Sequence, residues 1–475
     1  MSEHTLMRSA VILALATAAS GCINLAPRYE RPELPVQSEW PGVAETPGAQ
    51  QQEENSAAAL AWKQFFQSEK LRGVIDLALQ NNRDLRIAAL NVERTQALFR
   101  IQRAERVPAV DVGGSFQRQR LPDQFSATGE GVTETYSASV GASFELDLFG
   151  RIHNLSRAAL EQYFAQEATQ RSVRISLIGQ IAQTYVTLAS DRALHQLALN
   201  TEKAQADWFA LTQERHRLGA VSSLELSQSE TTVENARADV ARYEGNIAQD
   251  INALTLLVGA AVPTALLPDA TEAQTPLLSP IPVGLPSQVL LERPDIVAAE
   301  HGLRAANANI GAARAAFFPT ISLTGSAGYI STELSGLFDS ENKTWSFSPG
   351  INLPIFQGGH LLANAAVARA ERDIAVARYE QAIQTGFREV SDALALTGAL
   401  ARERAARERL VAATGRVYEL SQARKDVGQD SYLQVLDAQR SYYAAQQTLL
   451  TTRLAESNNL IALYEVLGGG ARAEE

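Results

Sequence analysis

The 475-residue chain has a single cysteine, Cys22, close to its N-terminus. With no second thiol there is no intramolecular disulfide, so the fold must be held by packing. Past residue 20 no run of eighteen apolar residues occurs, which excludes a transmembrane helix beyond the leader. The six histidines (His4, His153, His195, His216, His301 and His360) are scattered, and no two fall at metal-ligand spacing. No Gly-x-Gly-x-x-Gly or Walker pattern is present, which argues against nucleotide chemistry and, with the rest, against an enzyme. Gly358 and Gly359 follow an apolar segment in the manner of a phosphate-binding turn, but a strand-to-helix corner explains them equally well, because Gly150 stands at the equivalent place. A net charge of -11 and a pI near 5.3 argue against a nucleic-acid partner. No metal and no cofactor are expected.

Proline is missing from two long stretches, Arg151 to Leu218 and Gly359 to Val427. Each is rich in Ala, Gln, Arg and Glu, a helix-forming composition. As a single helix each would run roughly 100 Å, far beyond the helices of ordinary globular domains. Each follows a β-hairpin pattern, so hairpin plus long helix occurs twice, roughly 208 residues apart. Repeats outrank other sequence signals, and the chain reads as a mixed α and β protein with an internal two-fold repeat. The clearest strand is the return arm of the first hairpin. Tyr136, Ala138, Val140, Ala142, Phe144, Leu146 and Leu148 alternate with Ser137, Ser139, Gly141, Ser143, Glu145 and Asp147. Period two over this length predicts one oily and one wet face. It is longer than the usual strand of about 5–6 residues and resembles a transmembrane barrel strand. Four strands leave two open edges, which lipid does not tolerate. Closure then needs other copies of the chain: two would supply eight strands and three would supply twelve.

The N-terminus reads as a leader over residues 1–21. Arg8 precedes a short apolar run from Ala10 to Ala19, and the run ends in Ala19-Ser20-Gly21-Cys22. Small residues leading into a single cysteine resemble the lipobox of bacterial lipoproteins. That resemblance implies a mature N-terminus at Cys22 bearing covalent lipid, with Ile23 directing it to the outer membrane. Residues 22–59 carry five prolines, Pro27 to Pro47, and read as an extended tether. The first repeat spans 60–258: a short helix near Trp62, one longer helix over 71–106, a hairpin over 109–149, the long helix 151–218 and a helix over 223–258. Ser222 and Glu225 are expected to form a capping box at its start. Residues 259–288 read as a Pro/Gly linker. The second repeat, 289–467, holds a helix, a hairpin over 320–356 whose last strand reaches Ile355, the long helix 359–427 and a final helix 431–467 capped by Asp430. Residues 468–475 form a tail.

Several segments carry a family resemblance: Pro27-Arg28-Tyr29-Glu30-Arg31-Pro32, Phe144 to Gly150, Arg293-Pro294-Asp295, Ile310 to Pro319 and Leu436 to Arg440. From Cys22 to Gly470 the chain resembles the TolC/OprM-type outer membrane factors, closest to the lipoprotein branch serving multidrug efflux. The resemblance implies a homotrimer with a twelve-stranded barrel in the outer membrane, continued by a long periplasmic α-helical barrel. It implies a periplasmic adaptor and an inner-membrane transporter, a proton-driven multidrug pump, as partners; cargo of drugs or other small toxic compounds; and contact with outer-membrane lipid. A protein or peptide secretion channel is the alternative. A coiled-coil spacer would account for the helices but not for the hairpins. The hairpin loops 120–131 and 332–343 would face outside, and the helix turns, 218–224 and 427–433, would be the periplasmic tips. Gly219 and Gly428 mark these turns; Leu224 corresponds to Leu433 and Gln228 to Asp437. By resemblance the second tip lines the aperture, with Leu433 as a hydrophobic ring, Asp437 as a carboxylate ring and Arg440 available to tie helices together. Read from spacing alone, Asp437 pairs with Arg440 at i+3 on a solvated helix face.

Overall fold

The computed structural model describes residues 24–37, 40, 61–120, 132–274, 278, 287–429 and 431–469. The leader, Cys22, most of the first hairpin loop and Asp430 therefore lie outside the described residues. In chain order the elements are α1 (Trp62–Phe65), α2 (Glu69–Asn81), α3 (Arg83–Ala104), β1 (Ala109–Arg120), β2 (Val132–Leu146), α4 (Arg151–Arg217) and α5 (Ser223–Val258). Then follow α6 (Pro294–Ala315), β3 (Thr320–Ser331), β4 (Lys343–Asn352), α7 (His360–Asp426) and α8 (Tyr432–Val466). Both long helices are continuous over 67 residues.

The chain forms two compact units. The first comprises the segment up to Glu33 with Asn91–Gln166 and Ala298–Tyr379. It carries one antiparallel sheet in the order β1-β2-β3-β4. The second comprises Leu34–Leu90, Glu167–Val297 and Glu380 onward. Its core gathers Leu71, Val74, Ile75 and Ala78 of α2 with Leu254 and Val258 of α5 and Leu290. Phe65 stacks on Tyr464 at 4.2 Å between centroids, and Phe66 meets the same ring edge-on. In α4 the buried Ile178, Ile181, Ala182, Tyr185, Leu188 and Ala189 recur at helical spacing.

The helix expected over 71–106 is two helices, broken at Asn82. There the backbone turns extended (φ -62°, ψ 134°). The buried Asn82 amide accepts from the Leu85 amide at 2.8 Å and donates to the Leu257 carbonyl at 2.7 Å. It thus caps α3 and ties the break to the end of α5. Gly259 ends α5 with φ 74°, and a Cβ there would lie 2.5 Å from the Asn81 carbonyl oxygen, so the close approach requires glycine. β4 stops at Asn352 rather than reaching Ile355; Pro354 has no amide to donate to a ladder. β2 stops at Leu146, and Phe149 instead stacks on Phe318 at 4.6 Å.

The described parts of the two segments read as linker and tether are anchored. Within 259–288, short 3-10 turns form at Thr264–Leu266 and Ala270–Gln274. Glu272 there accepts from Lys70 at 3.1 Å and from the Tyr185 hydroxyl at 3.0 Å. In the N-terminal segment, the Asn154 amide donates to Asn24 at 2.9 Å, Asn307 donates to the Pro27 carbonyl at 2.8 Å, and Arg314 donates to the Leu25 carbonyl at 3.2 Å. Glu300, buried on α6, accepts from the Tyr29 hydroxyl at 3.0 Å, from Arg31 at 3.0 and 2.9 Å, and from Arg304 at 2.6 Å. Residues 24–31 are extended as expected, but as a docked strap and not a free tether.

Candidate functional site

Two surfaces carry the residues singled out by the sequence. The first is the sheet. Pairing aligns Val112 with Val140, Val140 with Ala327 and Ala327 with Trp345 in one row across all four strands. A neighbouring row on the same face runs Val110, Ala142, Gly325, Phe347. The opposite face carries Asp111, Gly141, Ser326 and Ser346 in one row and Gly113, Ser139, Gly328 and Thr344 in the next. Cross-strand hydroxyl pairs join Ser115 to Ser137 at 2.7 Å and Ser326 to Ser346 at 2.8 Å. The apolar face is bare: Val112 is 81%, Trp345 78% and Ile351 74% exposed. An apolar face of this extent needs an apolar cover. Among the described residues β1 and β4 each have one bonded neighbour strand, so both outer edges keep unpaired amides and carbonyls.

The second surface is the pair of helix turns. Gly219 (φ 75°) ends α4: its amide donates to the His216 carbonyl at 2.9 Å and the Ala220 amide donates to the Arg215 carbonyl at 2.8 Å. Gly428 (φ 74°) ends α7 through the same two bonds, Gly428 to Lys425 at 2.9 Å and Gln429 to Arg424 at 2.8 Å. Glycine supplies the left-handed residue that this termination needs. The restarts differ. Ser222 accepts from the Glu225 amide at 3.2 Å, which is one half of the expected capping box. At the second turn Ser431, not Asp430, is the N-cap, and its amide donates to the Gln434 side chain at 3.2 Å.

Leu433, Asp437 and Arg440 share one exposed face of α8, while Val435, Leu436 and Ala438 are buried on the other. Leu433 is 56% exposed; Leu224, at the corresponding place on α5, is exposed, and Gln228 is half-buried. The expected Asp437–Arg440 pair is not formed among the described residues. Both groups stand in solvent, where an i,i+3 pair gains little over hydration.

Sequence reasoning missed what holds this turn. Trp208 of α4 stacks on Tyr432, the first residue of α8, at 4.7 Å and 17°. The Lys425 ammonium, in the last turn of α7, lies 3.6 Å from the centroid of the same indole. Burial lowers the Lys425 pKa and pushes the Tyr432 hydroxyl up to about 12. One indole therefore contacts both sides of the α7–α8 turn. Trp208, one of four tryptophans in the chain and close to the first tip, was the available signal. Farther along, the Tyr443 hydroxyl of α8 donates to Asp239 of α5 at 2.9 Å, and Arg404 of α7 meets Glu456 of α8 at 2.8 Å. Among the described residues no three His, Cys, Asp or Glu side chains group to hold a metal, and no helix is long and apolar enough to cross a membrane.

A family model described as outer membrane efflux protein matches residues 74–260 and again 285–469. The solvent efflux pump outer membrane protein SrpC of Pseudomonas putida is 47% identical over 452 residues, covering 95% of this chain and 96% of that one. A solved membrane protein from Pseudomonas aeruginosa superposes with a TM-score of 0.87 at 40% identity, over 95% of this chain and 99% of its own. The open state of the MtrE outer membrane channel of Neisseria gonorrhoeae does so with a TM-score of 0.85 at 35% identity, over 95% and 99%.

Proposed function

The chain belongs to the outer membrane efflux protein family, and from that premise we propose that it is the exit channel of a tripartite efflux system, conducting small toxic compounds passively across the outer membrane. The family is one of efflux proteins, not of enzymes. The observation that carries the reading is the open four-stranded sheet with a bare apolar face and a Ser/Gly-rich opposite face. In water such a sheet aggregates; in a bilayer its edges must be paired and its apolar face meets acyl chains. Three chains supply twelve strands, close the edges and leave the hydroxyl-lined face around a water-filled lumen. Lipid on Cys22 adds an anchor to a protein already held by its barrel.

The remaining roles follow from the same assembly. The helix turns at Gly219 and Gly428 meet the periplasmic adaptor, which couples the channel to an inner-membrane pump. Around a three-fold axis, Leu433 forms a dry ring, and Asp437, one helical turn along, forms a ring of carboxylates that concentrates cations. Arg440 stands one turn farther on the same face. Gln434 serves as a helix cap and adds no charge. The leaning towards small-molecule cargo over protein secretion rests on the solvent efflux named for the 47% identical relative.

Cysteine placement tests the arrangement. A cysteine at Ser340 should react with an impermeant maleimide in intact cells, while one at Ser222 should stay unlabelled until the outer membrane is permeabilised. The reverse pattern ends the channel reading. A monodisperse monomer on sedimentation of detergent-purified protein ends the trimer.

A further inference from the structure

Where the helices join the sheet, α3 and α4 enclose a groove of about 450 Å³ lined by Phe99, Arg103, Arg106, His153, Arg157 and Leu160. Arg103 lies in the last turn of α3 and Arg106 in the short link to β1. His153 and Arg157 lie in the first two turns of α4, just after β2. Three arginines thus line one groove next to the helix end of β1 and β2.

The nearby carboxylates are engaged elsewhere. Glu105 accepts from Gln102 at 2.6 Å, and Glu145 is gripped by Arg151 at 2.8 Å. Asp147 accepts the His153 amide at 2.6 Å, and Glu161, which also borders the groove, pairs with His301 at 2.7 Å. Among the described residues neither Arg103, Arg106 nor Arg157 has a carboxylate partner. Phe99 and Leu160 give the groove an apolar side beside these charges.

We propose that this groove binds the headgroup phosphate of an anionic phospholipid from the leaflet that meets the helix end of the sheet. The proposal rests on the reading that the sheet crosses the outer membrane. Guanidinium forks match phosphate oxygens in pairs, and unpaired guanidinium is a better phosphate partner than ammonium. Phosphates in a bilayer lie just beyond its apolar band, which is where the chain leaves β1 and β2 for the helices. Phe99 and Leu160 then contact the glycerol and upper acyl carbons, a requirement that free phosphate does not have.

The test is native mass spectrometry of the delipidated full-length protein in detergent, titrated with phosphatidylglycerol or phosphatidylcholine. Wild type should retain phosphatidylglycerol in preference to phosphatidylcholine. The combined Arg103→Gln, Arg106→Gln, Arg157→Gln variant should lose roughly tenfold to a hundredfold in that retention, and the matching triple Lys variant should recover part of it. All three side chains are exposed, so the assembly should survive; should the triple variant misassemble, Arg157→Gln alone is read the same way. Equal retention by wild type and the Gln variant overturns the site. Retention of inorganic phosphate as tight as that of phosphatidylglycerol overturns the lipid as occupant in favour of a free anion. Correct surface labelling at Ser340 without any phosphatidylglycerol preference sinks this inference alone, whereas failure of that labelling sinks the channel reading beneath it.

Discussion

Glu300 is the place where a single substitution should release the N-terminal strap. Its side chain is 8% exposed and accepts four hydrogen bonds, one from Tyr29, two from Arg31 and one from Arg304. Removing one partner of a fully buried ion pair costs about 3–5 kcal/mol. Here Arg31 and Arg304 keep 48% and 32% exposure, so water takes over part of their solvation and about 2 kcal/mol is the reasonable loss for Glu300→Ala. That corresponds to roughly a thirtyfold rise in the undocked population. Hydrogen exchange of peptides covering residues 24–37 should accelerate by about that factor, and trypsin should cut sooner after Arg28, the tryptic site within the strap. Peptides from α4 beyond residue 167, which do not touch the strap, should be unaffected. The pH dependence has a definite sign. Burial alone would raise the Glu300 pKa, but the hydrogen bonds from Arg31 and Tyr29 and the charge of Arg304 outweigh it, and the net shift is downward. A lowered carboxylate contributes fully above its unfolded value near 4.3 and loses its contribution as pH falls through the folded value. The strap should therefore stay docked at pH 5 and loosen only below about pH 4. Unchanged exchange in Glu300→Ala, or loosening already at pH 6, refutes the reasoning.

At the aperture, Leu433→Ala should raise single-channel conductance in planar bilayers and Asp437→Ala should reduce cation preference; no change in either, with trimers intact, moves the constriction to Leu224 and Gln228. Trp208→Ala should remove the stack under Tyr432 and increase conductance fluctuations at the aperture, with Trp208→Phe intermediate; identical recordings from all three proteins would detach this stack from gating. Asp250 is pushed up to about 6, first by burial and then by the charge and hydrogen bond of Asp191. A raised carboxylate costs the folded state stability as pH climbs from its unfolded value near 3.9, and in full above about 6, so Asp250→Asn should stabilise the fold at pH 8 by about 1 kcal/mol after solvent screening, and by nothing below pH 4. Equal gains at both pH values would mean that the Asp250 carboxyl is not raised by its surroundings.

Much of the fold is visible in local pattern because its signals are local. Alternation from Tyr136 to Leu146 is enough to draw β2 and its two faces, and two proline-free, helix-forming stretches are enough to draw α4 and α7. Gly219 and Gly428 announce both helix ends, since a left-handed residue is needed there and glycine takes that conformation most freely. The aperture candidates Leu433 and Asp437 were legible only through the family resemblance. Spacing put them on one helix face, and nothing in spacing puts that face on an axis.

What the sequence by itself determined is therefore the two long helices, the amphipathic sheet and the two turns, all of which depend on residues within a few positions of one another. Tertiary structure alone decided the break at Asn82, which exists because the Leu257 carbonyl is there to receive its amide. It decided that an apparent tether is a strap, because Tyr29 and Arg31 find Glu300 some 270 residues away. It placed Trp208 against Tyr432 and Lys425, and it gathered Arg103, Arg106 and Arg157 into one groove. Each of these joins side chains from separate elements, and no periodicity along the chain encodes which distant partner a buried or charged group will meet.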